Sequence, residues 1–298
     1  MDYQNTGSGT SSAFNQFTGA TNNYVNATQE FLESNSLVAK VAFLLLVLFV
    51  FVLLFRLGMM LLGYFLTPSN NPMIIDGMVD AKQLIVIPQE PDNPNSITIK
   101  RSVNASDGIE FTWSVWVFID DLTYNSGQYR CVFYKGNDFS SNPNAPTEEQ
   151  QGLNFPNNAP GVYIAPNTNN LVIMMNTFNV INEQVTVEDI PINKWFNLII
   201  RCQNTTLDIY MNGLIVKSYE LHGVPKQNYG DIYVAPNGGF SGNISNLHYY
   251  SYALGTSEIN RLVTRGPNTN MKNSLAASMK LKNPNYLSLR WYFYGNSA

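Results

Sequence analysis

Residues Val41–Leu66, VAFLLLVLFVFVLLFRLGMMLLGYFL, form an apolar run of 26 residues whose sole charge is Arg56. As a helix rising about 1.5 Å per residue, the run is roughly 39 Å long, more than the roughly 30 Å hydrocarbon core of a bilayer. Nineteen of its residues are Leu, Val or Phe. At roughly −0.3 to −0.6 kcal/mol each, they outweigh the roughly +2.5 to +3.5 kcal/mol of a central arginine. A buried core helix would keep a polar stripe, and this run has none. A cleaved signal peptide fits poorly, because the run exceeds an h-region of roughly 7–15 residues and no small-x-small site follows it. The reading is a transmembrane helix over 37–66, anchored by Val41, Leu45, Phe49 and Leu53. If the crossing part is Leu37–Phe55, Arg56 lies at an interface; if it is Phe43–Leu66, Arg56 must snorkel or find a partner. The span holds no acid to pair with it, which favours the first register.

The remaining length suits one domain of roughly 200 residues. Charged residues are only 13% of the chain and the net charge is −4, so nucleic acid has no electrostatic support as a partner. Cys131 and Cys202 are the only cysteines, so disulfides are not the main staple. They are either one bridge between neighbouring strands or two unrelated buried thiols. Sequons at Asn26, Asn104, Asn204 and Asn243 are about what chance produces in a chain this rich in Asn, Ser and Thr.

Residues 1–36 are polar and carry too little apolar surface for a core, which reads as a flexible head. Asn35 or Ser36 would cap the apolar helix. Prolines at 68 and 72 stop it, and 67–79 reads as a linker, although strand-like patterning begins at about Met73. Leu84–Ile87 and Ile97–Arg101 are short strand candidates. Ile109–Ile119 alternates most clearly, with Ile109, Phe111, Trp113, Val115, Val117 and Ile119 on one face, which predicts a central strand. Tyr129–Lys135 precedes a long polar loop, Gly136 to about Pro160. Strands follow at Val162–Ala165, Leu171–Asn176, Gln184–Glu188 and Trp195–Gln203. Thr206–Asn212 and Leu214–Tyr219 flank Asn212-Gly213, a type I′ hairpin signal. Asp231–Ala235 and Ile244–Tyr250 complete the series, and a short helix at Ser257–Thr264 is closed by Gly266-Pro267. The pattern is all-β, an antiparallel jelly-roll sandwich over 80–267 behind a single transmembrane helix. Residues 268–298 form a C-terminal arm. Within it, Leu287, Leu289, Trp291 and Phe293 alternate with polar residues, making Arg290, Trp291 and Phe293 candidates for docking a partner.

Five segments carry a family resemblance. Glu110-Phe-Thr-Trp-Ser-Val-Trp116 resembles the first core strand of the laminin-G-like, concanavalin A-like sandwich, and Val132-Phe-Tyr-Lys-Gly136 resembles its second. Trp195–Ile200 with Leu207–Gly213 resembles its hairpin. Phe240–Ile244 with Leu247–Tyr249, and then Ala253–Ile259, resemble its closing segment. The resemblance implies fold more than function, because this sandwich hosts lectins, glucanases, adhesion modules and structural proteins. It also raises calcium as a ligand. Asp138 after the second strand and Asp231 beside Gly230 are weak candidates, and turn chemistry explains both as well.

Catalysis finds little support. Retaining glucanases of this superfamily place alternate carboxylates on one strand, as E-x-D-x-x-E or E-x-D-x-E. Here Glu183 and Glu188-Asp189 have the wrong spacing, Asp120-Asp121 are adjacent, and Glu148-Glu149 lie in the long loop. His222 and His248 form no zinc or triad pattern with the cysteines. The expectation is therefore a non-enzymatic protein without a cofactor. Its partners would be a lipid bilayer, neighbouring structural proteins, and in the alternative reading a glycan. Anchored, asparagine-rich sandwiches resemble structural proteins of large DNA viruses. That resemblance implies a minor capsid or inner-membrane component at the membrane–capsid interface; a membrane-anchored lectin is the rival and a degenerate glucanase the outlier.

Overall fold

The computed structural model describes residues 37–66, 68–105, 108–138 and 151–271. They fall into two units, one ending at Thr67 and the other beginning at Pro68. In the first, α1 (Leu37–Leu66) is an unbroken 30-residue helix, and Leu37–Tyr64 within it is long and apolar enough to cross a membrane. Val41, Leu45, Phe49, Leu53 and Arg56 are all exposed on it. The head, 1–36, lies outside the described residues, as do Arg290, Trp291 and Phe293 of the arm.

Alternation organises the second unit. Strand β4 (Gly108–Asp121) turns Ile109, Phe111, Trp113, Val115, Val117 and Ile119 into the main core, as the pattern predicts. It lies between β13 (Ser241–Tyr250) and β9 (Trp195–Asn204), and the sheet continues through β10 (Thr206–Met211) to the edge strand β11 (Leu214–Glu220). Short β3 (Val103–Ala105) pairs with the start of β4. The facing sheet runs β2 (Ile85–Ile87), β12 (Asp231–Val234), β5 (Arg130–Gly136), β6 (Gly161–Ile164), β7 (Leu171–Met175) and β8 (Glu183–Val187). These strands all pair antiparallel, so two sheets of seven and six strands among the described residues enclose one apolar layer. Asn212 and Gly213 both have positive φ, 51° and 84°, and join β10 to β11 as the dipeptide predicts. Helix α2 (Thr256–Arg265) covers the outer face of the larger sheet, where Ile259 and Leu254 pack on Ile199 and Tyr250.

Two boundaries move. The segment read as linker, 67–79, contains most of β1 (Met73–Asp80), which pairs with β13. Its register with β13 shifts twice and Gly77 has φ 99°, so its alternation is broken and hard to read. At the other end the sandwich continues past 267: Ser245 Oγ donates to Asn268 O at 2.8 Å and Met78 N to Asn270 O at 2.9 Å. Ile97–Arg101, expected as a strand, is not one. Gln89 supplies its partners instead: Gln89 Nε2 donates to Ile97 O at 2.9 Å, and Ile99 N donates to Gln89 Oε1 at 3.1 Å. One side chain thereby satisfies backbone groups that would otherwise need a neighbouring strand.

Part of the long polar loop is also packed. Asn158 is fully buried; its Oδ1 accepts from the Tyr163 hydroxyl at 2.6 Å and its Nδ2 donates to Asn154 O at 2.7 Å. This hub holds 151–160 against a second cluster containing Tyr134, Leu153, Tyr163 and Cys131. Cys202 lies in the main core instead, and both cysteines are free. Burial pushes the Cys202 thiol up to about 12 and raises Cys131 well above its usual value, so both are inert thiols.

Candidate functional site

At one end of the sandwich the two sheets part around a cleft of about 110 Å³. Its floor comes from both sheets: Trp113 of β4 and Tyr249 of β13 on one side, Met175 of β7 and Lys135 of β5 on the other. Two segments rim it. The strap 98–102 is held down by three contacts: Gln89 to its backbone, Tyr249 OH donating to Lys100 O at 3.2 Å, and Gln227 Nε2 donating to Ser102 Oγ at 2.7 Å. The second rim is 226–229, where Lys226 N donates to Asn176 O at 2.8 Å and the Tyr229 ring is 81% exposed.

Four cations line this cleft, Lys100, Arg101, Lys135 and Lys226, and no carboxylate lines it among the described residues. Lys135 is 5% exposed and donates to Gly230 O at 2.5 Å. Burial pulls its ammonium down to about 8, partly opposed by the charge of Asp231. Below pH 8 the folded chain must carry this proton in a poorly solvated place. Between about 8 and the unfolded value of 10.5 the unfolded chain binds more protons than the folded one, so stability rises with pH. From pH 7 to 9 the expected gain is about 1 kcal/mol, and a Lys135→Met variant should lose this dependence. Denaturant titration at the two pH values reads it directly; an equal slope in both proteins would refute it.

The candidate residues read from the sequence do not converge. Asp231 accepts from Gln89 N at 2.8 Å and so ties β12 to the residue whose side chain holds the strap, while Asp138 is exposed. Both act electrostatically on Tyr233 and raise its hydroxyl after burial does. Among the described residues no three His, Cys, Asp or Glu side chains group as metal ligands.

The described acids weighed for catalysis do separate work, and Glu148 and Glu149 lie outside the described residues. Glu183 is buried and receives Thr177 Oγ1 at 2.7 Å, His222 N at 2.9 Å and His222 Nδ1 at 3.0 Å, a set of bonds that ties β8 to the 222 loop. Glu188 and Asp189 are exposed beyond it. Asp120 is exposed, and Asp121 caps its turn by accepting from Thr123 N at 2.8 Å and Thr123 Oγ1 at 2.6 Å, which lowers its carboxyl. His248 Nε2 lies 2.8 Å from Asn71 O, and burial lowers its imidazole. Sequence reading missed the cleft, because its cations stand at 100, 101, 135 and 226 with no motif among them. The only local signal was Lys135 inside the strand Val132–Gly136, a charge where an alternating core strand ends.

Among solved structures, the chain is similar to the binding domain of botulinum neurotoxin serotype G (16% identity, TM-score 0.42, covering 63% of this chain and 46% of that one). It is also similar to the binding domain of Paraclostridial Mosquitocidal Protein 1 (14%, 0.44, 67% and 46%). A third is the ligand binding domain of botulinum neurotoxin serotype D in complex with N-acetylneuraminic acid (16%, 0.39, 55% and 39%). The chain spans less than half the length of each. No curated protein matches it. A laminin-G family model described as the concanavalin A-like lectin/glucanases superfamily matches residues 92–260, more than half of the chain. That stretch runs from the turn before the strap to the middle of α2 and contains most of the cleft's lining, so this chain belongs to the concanavalin A-like lectin/glucanases superfamily.

Proposed function

We propose that this chain is a non-enzymatic, membrane-anchored recognition protein whose sandwich takes a glycan in the end cleft. The observation that carries the reading is the make-up of that cleft's rim: an exposed Tyr229, with amides from Gln227 and Asn228 beside it, above the buried Trp113 and Tyr249. Sugar rings present apolar faces to aromatic rings and hydroxyls to amides, so this mixture suits a saccharide. The scattered carboxylates support binding without hydrolysis. The test is a glycan array probed with the full chain in detergent micelles, beside Tyr229→Ala. Binding that falls about tenfold in the variant, with no hydrolysis of the bound glycan, is expected. Released sugar, or no bound glycan, overturns the reading.

The bridging role, with a virus particle as its setting, is a second reading favoured by β11. This edge strand exposes Leu214, Ile215 and Val216, an apolar sheet edge suited to a protein partner. Stoichiometric presence of the chain in purified particles, without glycan binding, would favour it.

A further inference from the structure

We propose that the end cleft selects acidic sugars and takes the ligand's carboxylate among Lys100, Lys135 and Lys226. This rests on the glycan reading of the same cleft and adds the charge of the ligand. The chain as a whole carries a net charge of −4, yet four of its 17 Lys and Arg residues line this one cleft. Among the described residues the salt bridges are Arg201 with Asp208 and His222 with Glu183, so none of the four cleft cations has an ion-pair partner there. Lys100 Nζ donates to a neutral amide, Asn70 Oδ1, at 2.9 Å, and Lys226 Nζ lies 5.5 Å from the Phe178 ring centroid. Lys135 is buried with one bond to a carbonyl, and an ammonium has two further protons to donate.

Like charges around one cleft repel one another in the empty protein, and the half-exposed Lys100 and Lys226 can turn to an anion that enters beside the buried Lys135. The cleft of about 110 Å³ is far smaller than the roughly 300–1,000 Å³ of a pocket that swallows a drug-sized ligand. It suits the acidic end of a saccharide whose remainder lies on the exposed rim at Tyr229. The lowered ammonium of Lys135 adds a pH dependence: as pH rises through about 8, the cleft loses one positive charge and its hold on a carboxylate. Asp231 is the acid that acts on Lys135, and Lys100, Arg101 and Lys226 are the other charges lining the cleft.

Glucose and glucuronate differ at C6, a hydroxymethyl against a carboxylate, and serve as probes for calorimetric titration of the full chain in micelles, with inorganic phosphate as a third. Glucuronate is expected to bind at least about tenfold more tightly than glucose and phosphate at pH 7, the scale of added charge-assisted hydrogen bonds. The preference should shrink at pH 9.5 and in the Lys100→Gln/Lys226→Gln variant, whose near-ultraviolet circular dichroism checks that the sandwich is intact. Equal affinity for the two sugars overturns the acid preference and leaves the glycan reading standing. Phosphate binding as tight as glucuronate overturns the sugar class. Failure of both sugars to bind overturns the glycan reading itself.

Discussion

Replacing Trp113 by alanine is expected to cost the sandwich about 3–5 kcal/mol, the range for emptying a large aromatic site in a packed core. The side chain is 2% exposed, with its ring 5.3 Å from Phe133 of the facing sheet and 4.9 Å from Tyr249 of the neighbouring strand. It therefore joins both sheets at the position where β4 is paired on each side, to Tyr249 of β13 and Ile200 of β9. Against a typical total of about 5–15 kcal/mol, such a loss removes roughly a fifth or more of the stability. Trp195→Ala is the contrast. Trp195 is half-buried and lies 5.5 Å from the Phe118 ring on the outside of the same sheet, so about 1 kcal/mol is expected. Denaturant unfolding of both variants decides the matter, and equal losses would show that the inter-sheet layer is not where Trp113 acts. Trp113→Ala should also weaken the cleft, because Tyr249, which rests on Trp113, carries the hydroxyl that holds the strap at Lys100.

The second large effect concerns α1. Deleting Leu37–Leu66 should convert a protein retained in the membrane pellet after alkaline carbonate extraction into one found in the supernatant. The apolar residues of the helix contribute roughly 0.3 to 0.6 kcal/mol each toward insertion, so the sum is about two to four times the roughly 3 kcal/mol for Arg56. A finer test keeps the length and changes one face: Leu45→Lys, Phe49→Lys and Leu53→Lys together add roughly 9 kcal/mol of insertion cost and should also release the chain. Retention of either variant in the pellet would mean that something other than this helix holds the protein to membranes.

How much of the fold is legible in the sequence follows from the range of each signal. Ile109–Ile119 announces its faces because a strand alternates residue by residue, and Asn212-Gly213 announces its turn because two residues with positive φ close that hairpin. Strand β1 is harder, since Gly77 and two register shifts break the alternation that would reveal it. The 97–101 segment looks like a strand and becomes a strap because the side chain of Gln89, eight and ten residues away, takes its hydrogen bonds. Asparagine misleads most. Its abundance suggests loops, and at 125, 193, 204 and 212 it does take the positive φ of turns. Yet Asn158 and Asn197 are fully buried, and each bonds to groups outside its own strand or turn, Asn197 Nδ2 to Val115 O at 3.2 Å for example.

The long apolar helix and the all-β sandwich were determined by the sequence alone, because hydrophobic runs and two-residue periods are local and every turn of chain restates them. The meeting of Lys100, Lys135 and Lys226 in one cleft, and the separation of Cys131 from Cys202 into different clusters, were decided only by tertiary structure. Electrostatic fields and burial depend on distance through space, and the register of antiparallel strands sets that distance without leaving a spacing to be read along the chain.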